Sequence, residues 1–169
     1  MTRIFLIGYM GCGKTTLGKV LAEKMAYVFV DLDTFIEEKY LKTVSQIFAE
    51  LGQDKFREIE RECLSEVCDF EQTIIATGGG TPCYFDNIQK MNDAGLTVYI
   101  QLTENQLCTR LETSRAGKRP LIADKKGEEL HQFIQAGLKT REPFYKQAKL
   151  IVSGSDNDIV EQIIKVSQL

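Results

Sequence analysis

The residues from Gly8 to Thr15, Gly-Tyr-Met-Gly-Cys-Gly-Lys-Thr, follow the spacing G-x-x-x-x-G-K-[ST]. Each residue type in that pattern suits a chain of phosphates. Glycines let the backbone turn with its N–H groups pointing inward, a nest for anionic oxygens. A helix opening near Lys14 adds the positive end of its dipole. The Lys14 ammonium can reach the outer phosphates, and the Thr15 hydroxyl can ligate Mg²⁺. An apolar run from Arg3 to Gly8 precedes the pattern and helical spacing follows it, which is the context the motif requires. Nucleotide binding follows from these residues. Which nucleotide is bound, and whether a group is transferred, does not.

Further segments could complete a transfer site. Asp31-Leu-Asp33 closes a second apolar run. Side chains two apart on a strand share a face, so both carboxylates can point to one site at the strand's carboxyl end. One could hold Mg²⁺ through water while the other takes a hydroxyl proton. Asp33 could equally be the cap of a helix starting at Thr34. Gly78-Gly79-Gly80 lets backbone approach a ligand closely, or is a flexible turn before Pro82. Arg57 borders the apolar stripe of a helix, where it leans over a pocket or pairs on a solvated face with a neighbour such as Glu60. From Arg110 to Lys126, six basic residues stand against two acidic ones. That aperiodic run, about 112–126, suits a lid over triphosphate, although most charge runs are solvated loops.

The elements that must position these groups alternate between two periods. Short apolar runs at Arg3–Gly8, Val28–Asp31, Thr73–Thr77, Leu96–Leu102 and Leu150–Ser153 read as strands. Helical spacing covers Lys14–Met25, Thr34–Tyr40, Val44–Leu51, Lys55–Val67, Asn87–Ala94, Glu104–Leu111, Glu128–Gln147 and Ile159–Val166. Leu17, Val20, Leu21 and Met25 form the expected inner side of the first helix, and Pro143 is expected to break or kink the long one. Strands alternating with helices predict an α/β fold, a parallel sheet covered on both faces. The 169 residues read as one domain, with no repeat or linker. At 43% apolar, 27% charged and net charge −3, the chain is neither disordered nor a basic nucleic-acid or anionic-membrane binder. Five cysteines without a C-x-x-C pair and a single histidine, His131, build no zinc finger and suit a reducing, cytoplasmic compartment. No segment reads as a signal peptide or membrane span. His131, on a charged helix, is expected at the surface, and no cysteine is expected to have a histidine partner.

The nucleotide loop leaves three reaction classes. A GTPase switch would carry an N-K-x-D motif, which is absent from the sequence. A mechanical ATPase is usually larger. A small-molecule kinase needs a second polar pocket for an acceptor hydroxyl, which the carboxylate, arginine and glycine segments could line.

The ordered set of motifs resembles the shikimate kinase family. It comprises Gly8 to Thr16, Asp31-Leu-Asp33, Ile47-Phe48 with Phe56-Arg57-Glu58-Ile59-Glu60, Gly78-Gly79-Gly80, Arg119-Pro120-Leu121 and Arg141-Glu-Pro-Phe-Tyr145, across nearly the whole chain. The resemblance implies ATP-dependent phosphorylation of the 3-hydroxyl of shikimate, towards chorismate and the aromatic amino acids. It implies a P-loop, nucleoside-monophosphate-kinase-like fold with a five-stranded parallel sheet ordered 2-3-1-4-5, a mobile lid, shikimate-binding helices at about 33–62 and a monomeric state. Carried over by position, Gly11, Cys12, Gly13, Lys14, Thr15 and Thr16 cradle the ATP phosphates, Thr15 and Asp31 hold Mg²⁺, and Arg110 borders the adenine. Asp33 holds the acceptor hydroxyl as base or orienter. Arg57 and Arg141 grip the shikimate carboxylate beside the backbone of Gly78, Gly79 and Gly80, while Arg119 folds onto the phosphates. Lys14, Asp33 and Arg119 are the implied catalytic groups. By its own position, Cys12 is an inert loop residue contributing only its backbone N–H, or else an oxidation-sensitive thiol at a helix N-terminus, and Tyr9, Phe48, Phe56 and Tyr145 are candidate pocket walls. A gluconate-type kinase and a catalytically silent nucleotide-binding module are the competing readings.

Overall fold

The apolar runs become the strands of one parallel sheet. In the computed structural model, which describes residues 3–114, 122 and 124–168, they are β1 (Arg3–Ile7), β2 (Val28–Asp31), β3 (Thr73–Ala76), β4 (Leu96–Ile100) and β5 (Leu150–Val152). Their order is β2-β3-β1-β4-β5, the order the resemblance implied. β1 lies at the centre, pairing Leu6 with Ala76 of β3 and with Val98 of β4. Strands buried on both faces read as continuous apolar runs rather than alternating ones, and β3 and β4 are buried throughout. The edge strands leave Val28 and Ile151 exposed.

The helices are α1 (Lys14–Met25), α2 (Leu32–Tyr40), α3 (Val44–Val67), α4 (Asn87–Ala94), α5 (Glu104–Thr113), α6 (Gly127–Tyr145) and α7 (Asp156–Ser167). Thr43, Thr103 and Ser155 open α3, α5 and α7 with capping boxes. Capped by Ser155, α7 thus starts at Asp156, three residues before the expected Ile159. Among the described residues no helix is long and apolar enough to cross a membrane.

The structure corrects several local expectations. α2 begins at Leu32, and its cap is Asp31, whose carboxylate accepts from the Thr34 N–H at 3.2 Å. Asp33 is therefore in the first turn of the helix, so strand alternation is not what brings the two carboxylates together. The segments expected as separate helices at Val44–Leu51 and Lys55–Val67 form one α3 kinked at Gly52, whose φ of 81° and ψ of 171° only glycine adopts readily. α1 buries Leu17, Gly18, Leu21 and Ala22 and leaves Val20 on its outer side. α6 runs through Pro143 without a break. Proline removes one N–H from the ladder, and only two residues of helix follow it, so little remains to be disrupted.

Every connection that carries a chemical motif leaves the carboxyl edge of the sheet. β1 feeds the glycine loop, β2 passes directly into α2, and β3 leads through Thr77 to Gly80 into a single 3₁₀ turn at Thr81–Cys83. In parallel sheets that edge is where a crevice opens.

Candidate active site

The glycine loop is shaped as the spacing requires. Gly11 and Gly13 have φ of 83° and 97°, in the left-handed region that side chains avoid. Gly13 precedes α1 without a side-chain cap, so the first N–H groups of the helix remain available to an anion. Lys14 Nζ donates to the carbonyls of Gly8 at 2.7 Å and Tyr9 at 3.2 Å, across the mouth of the loop. A cleft of about 520 Å³ opens there, lined by Gly11, Gly13, Lys14, Thr15, Thr16, Asp31, Asp33 and Arg110 among others. Cys12 is 1% exposed, and its thiol accepts from Lys14 Nζ at 3.8 Å. Arg110 from α5 closes one side: its guanidinium donates to the Cys12 carbonyl at 3.4 Å and pairs with Asp156 at 3.2 Å.

The Thr15 hydroxyl donates to the Asp31 carboxylate at 3.1 Å. Hydroxyl and carboxylate are hard oxygen donors, and together they fit Mg²⁺. Among the described residues no group of three or more His, Cys, Asp and Glu side chains could hold a metal. A cation at Thr15 and Asp31 therefore needs phosphate and water for its remaining ligands, which is the habit of Mg²⁺.

A second cleft of about 390 Å³ adjoins the first. Its lining includes Asp33, Phe48, Phe56, Arg57, Glu60, Gly78, Gly79, Gly80 and Arg141. The two clefts share Met10, Asp33, Gly78 and Gly79. The Asp33 carboxyl stands at that junction and is pushed up to a pKa of about 6. Burial is the main cause; Asp31 and Glu60 add to it, and the Lys14 ammonium opposes it.

Arg57 is not on a solvated face. It does pair with Glu60, at 2.8 Å, but inside the cleft, with the two side chains 12% and 1% exposed. The second Glu60 oxygen accepts from the buried Thr81 hydroxyl at 2.9 Å. Arg57 Nε is buried and has no protein partner. Arg141 from α6 lies over the Tyr9 ring at 5.5 Å from its centroid and approaches Gly79. The Tyr145 hydroxyl donates to the Gly79 carbonyl at 2.5 Å, which fixes the glycine backbone. The triple glycine thus forms a turn that lines the cleft and is tied to α6 at Gly79. Of the candidate aromatic walls, Phe48 and Phe56 line the cleft, with ring centroids 4.4 Å apart. Tyr9 and Tyr145 instead sit buried beneath it.

The glycine at position 80 answers to space, since its φ of −91° is ordinary. A Cβ there would stand 2.7 Å from an Arg57 guanidinium nitrogen. Gly80→Ala should therefore displace Arg57 and weaken anion binding in the second cleft by about tenfold, with nucleotide affinity unchanged. Parallel titrations of nucleotide and carboxylate ligand check it; equal affinities for the carboxylate would mean that the arginine gives way freely.

Sequence reading missed several groups. Glu60 was legible only as a possible partner of Arg57, yet it is a buried carboxylate on the apolar stripe of α3, between Ile59 and Cys63. A charge on a buried stripe is itself the signal. Thr81, Thr77 and Met10 had no signal beyond adjacency to glycines. His131 is half-buried rather than free at the surface: Nδ1 is 3.4 Å from the Cys108 thiol and Nε2 is 3.2 Å from Glu104. That cluster joins α5 to α6 outside both clefts, and it corrects the expectation that no cysteine has a histidine partner. Arg119 and its Pro120-Leu121 neighbours, like most of the basic run expected as a lid, lie outside the described residues.

Comparison with known proteins agrees with this geometry. The sequence model described as shikimate kinase matches residues 10–168. A shikimate kinase of Phocaeicola vulgatus is 52% identical over 163 residues, covering 96% of this chain and 93% of the relative. The crystal structure of a shikimate kinase from Bacteroides thetaiotaomicron superposes with a TM-score of 0.93 at 42% identity, covering 99% of this chain and 98% of that one. A shikimate kinase from Acinetobacter baumannii, solved in complex with shikimate, gives a TM-score of 0.87 at 31% identity, covering 99% of this chain and 93% of that one.

Proposed function

The chain belongs to the shikimate kinase family and carries out its reaction, transfer of the ATP γ-phosphoryl group to the 3-hydroxyl of shikimate in aromatic amino acid biosynthesis; we propose how this chain's residues divide that work. The observation that supports the division is the meeting of the phosphate-loop cleft and the arginine-lined cleft at the Asp33 carboxyl.

ATP phosphates enter the nest of Gly11 to Thr16. Lys14 leaves the Gly8 and Tyr9 carbonyls for phosphate oxygens and neutralises the charge that develops on them. Thr15 and Asp31 would hold Mg²⁺. When bound, the ion supplies further neutralisation of the phosphate chain. Arg110 borders the adenine. Arg119 is assigned to the phosphates on the strength of its Arg-Pro-Leu motif alone, with the segment of about 112–126 as the lid that brings it there.

Arg57 and Arg141 take the shikimate carboxylate, for which planar guanidinium groups offer paired charge-assisted bonds. The backbone of Gly78, Gly79 and Gly80 supports the ring. That leaves the acceptor hydroxyl facing Asp33, between acceptor and phosphate. The new P–O bond forms as the bond to ADP breaks, and the hydroxyl proton passes to the Asp33 carboxylate. Phosphoryl transfer needs little covalent help, so positioning and charge dominate.

The pH profile tests the assignment of Asp33. A base must be ionised to accept a proton. With its pKa raised to about 6, kcat/KM should fall about tenfold per pH unit below that value. An acid limb near the ordinary aspartate range, about 4, would contradict the role. We propose further that the protein works in the cytoplasm as a monomer. Its five cysteines, all unpaired, suit a reducing compartment.

A further inference from the structure

Arg57 has a support that the reaction as described does not use. The Tyr84 ring lies against its guanidinium, with the guanidinium carbon 4.0 Å from the ring centroid, against 5.3 Å for Phe56 and 6.0 Å for Phe48. Tyr84 follows the 3₁₀ turn at Thr81–Cys83. Its hydroxyl accepts a hydrogen bond from Gln53 Nε2 at 2.9 Å. Gln53 is the residue after the Gly52 kink, so the bond ties the bend of α3 to the turn after β3.

One short turn therefore addresses one guanidinium twice. Thr81 holds Glu60, which takes an Nη1 hydrogen in the guanidinium plane. The guanidinium in turn lies over the Tyr84 ring, its carbon 4.0 Å from the centroid. Gly80 leaves no room for a methyl group beside it. Nε is buried without a protein partner, so it is the Nη edge, of which Glu60 takes one hydrogen, that can meet a ligand. An arginine side chain loses much rotamer freedom when held in one geometry, and an aromatic platform that fixes the plane in advance removes that cost from ligand binding.

We propose that Tyr84 is a positioning residue for the acceptor: its ring holds the Arg57 guanidinium in the plane that presents its free N–H groups to the substrate carboxylate. The proposal rests on the reading of Arg57 as the carboxylate grip. It concerns the face of the ring, with the hydroxyl serving only to steady it through Gln53. A stacked guanidinium that is largely desolvated gains enough from such a platform to change affinity about tenfold.

Steady-state kinetics of the full chain, Tyr84→Leu and Tyr84→Phe, with the same changes in an Arg57→Ala background, test the proposal. Tyr84→Leu should raise the KM for shikimate about tenfold, leaving kcat within about twofold and the KM for ATP unchanged. Tyr84→Phe keeps the face and should restore the KM to within about threefold of the parent. In the Arg57→Ala background, Tyr84→Leu should add nothing, because the group it positions is gone. An analogue of shikimate with a hydroxymethyl group in place of the carboxylate should be indifferent to Tyr84→Leu. Thermal melts establish that each variant is folded at the assay temperature, and Tyr84→Met replaces Tyr84→Leu if that one is not. An unchanged KM in the folded ring-less variant, a Tyr84→Phe as impaired as Tyr84→Leu, or a full effect persisting without Arg57 would each overturn the proposal. If Arg57→Ala itself left the KM unchanged, the carboxylate grip would fail instead, which separates the two readings.

Discussion

Asp33→Asn should lower turnover by about 10²- to 10⁴-fold while ATP affinity stays within about threefold. The amide fills the same space at the junction of the clefts but cannot take the hydroxyl proton. Asp33 lines the edge of the phosphate-loop cleft, but the backbone nest from Gly11 to Thr16 that is proposed to hold the phosphates is unaltered by the change. The same change should stabilise the free protein. In the folded state Asp33 has a pKa of about 6 against an ordinary 3.8, so the folded chain holds a proton that the unfolded chain has already released between those values. Stability therefore falls as pH rises through that window, and at neutral pH the ionised carboxylate costs on the order of 1–3 kcal/mol. Removing the charge recovers it. Thermal melts at pH 7.5 should show the variant melting several degrees above the parent, and the difference should vanish near pH 4. Equal loss of ATP binding and turnover would remove Asp33 from the acceptor side.

Arg57→Ala carries the second large effect. It should raise the KM for shikimate by about 100-fold with a much smaller change in kcat, since a bidentate charge-assisted contact is worth about 1.5–3 kcal/mol. It should also destabilise the fold, because Glu60 is 1% exposed and Arg57 is its ionic partner. Leaving one buried charge unpaired costs about 3–5 kcal/mol. The double change Arg57→Ala with Glu60→Gln should recover much of that stability, because the amide still accepts from Thr81, and recover none of the shikimate affinity. Recovery of both together would make Arg57 a structural residue and move the carboxylate site elsewhere.

How much of this was legible in the sequence depends on the range of the interaction. The phosphate loop is local: its glycines, lysine and threonine sit on consecutive positions, and the flanking strand and helix follow from periodicity. The Gly52 kink escaped because one exposed glycine between two helical patterns looks the same as a loop. The Asp31 cap escaped for a related reason. Asp31 and Asp33 are both plausible caps, and only the twist of β2 into α2 decides between them. The placement of Arg57, Glu60 and Thr81 in one buried network joins α3 to the turn after β3, and no local pattern reports a contact between elements so far apart in sequence. The structure places Arg57 in the second cleft, where its own helical position favoured a solvated pair and only the family resemblance pointed to a pocket. Tyr84 had no signal at all, since an aromatic residue in a turn is unremarkable until its ring is seen against the guanidinium.

We propose that the ATP phosphates meet the shikimate hydroxyl where the two clefts adjoin at Asp33. The most direct measurement is ADP release by the purified protein with Mg²⁺ and ATP, without acceptor and with shikimate, quinate or gluconate, together with identification of the phosphorylated product. Strong stimulation by shikimate alone, with shikimate 3-phosphate accumulating in step with ADP, is the predicted result. Tight ATP binding with no stimulation by any acceptor would contradict it and leave a nucleotide-binding module in place of a kinase.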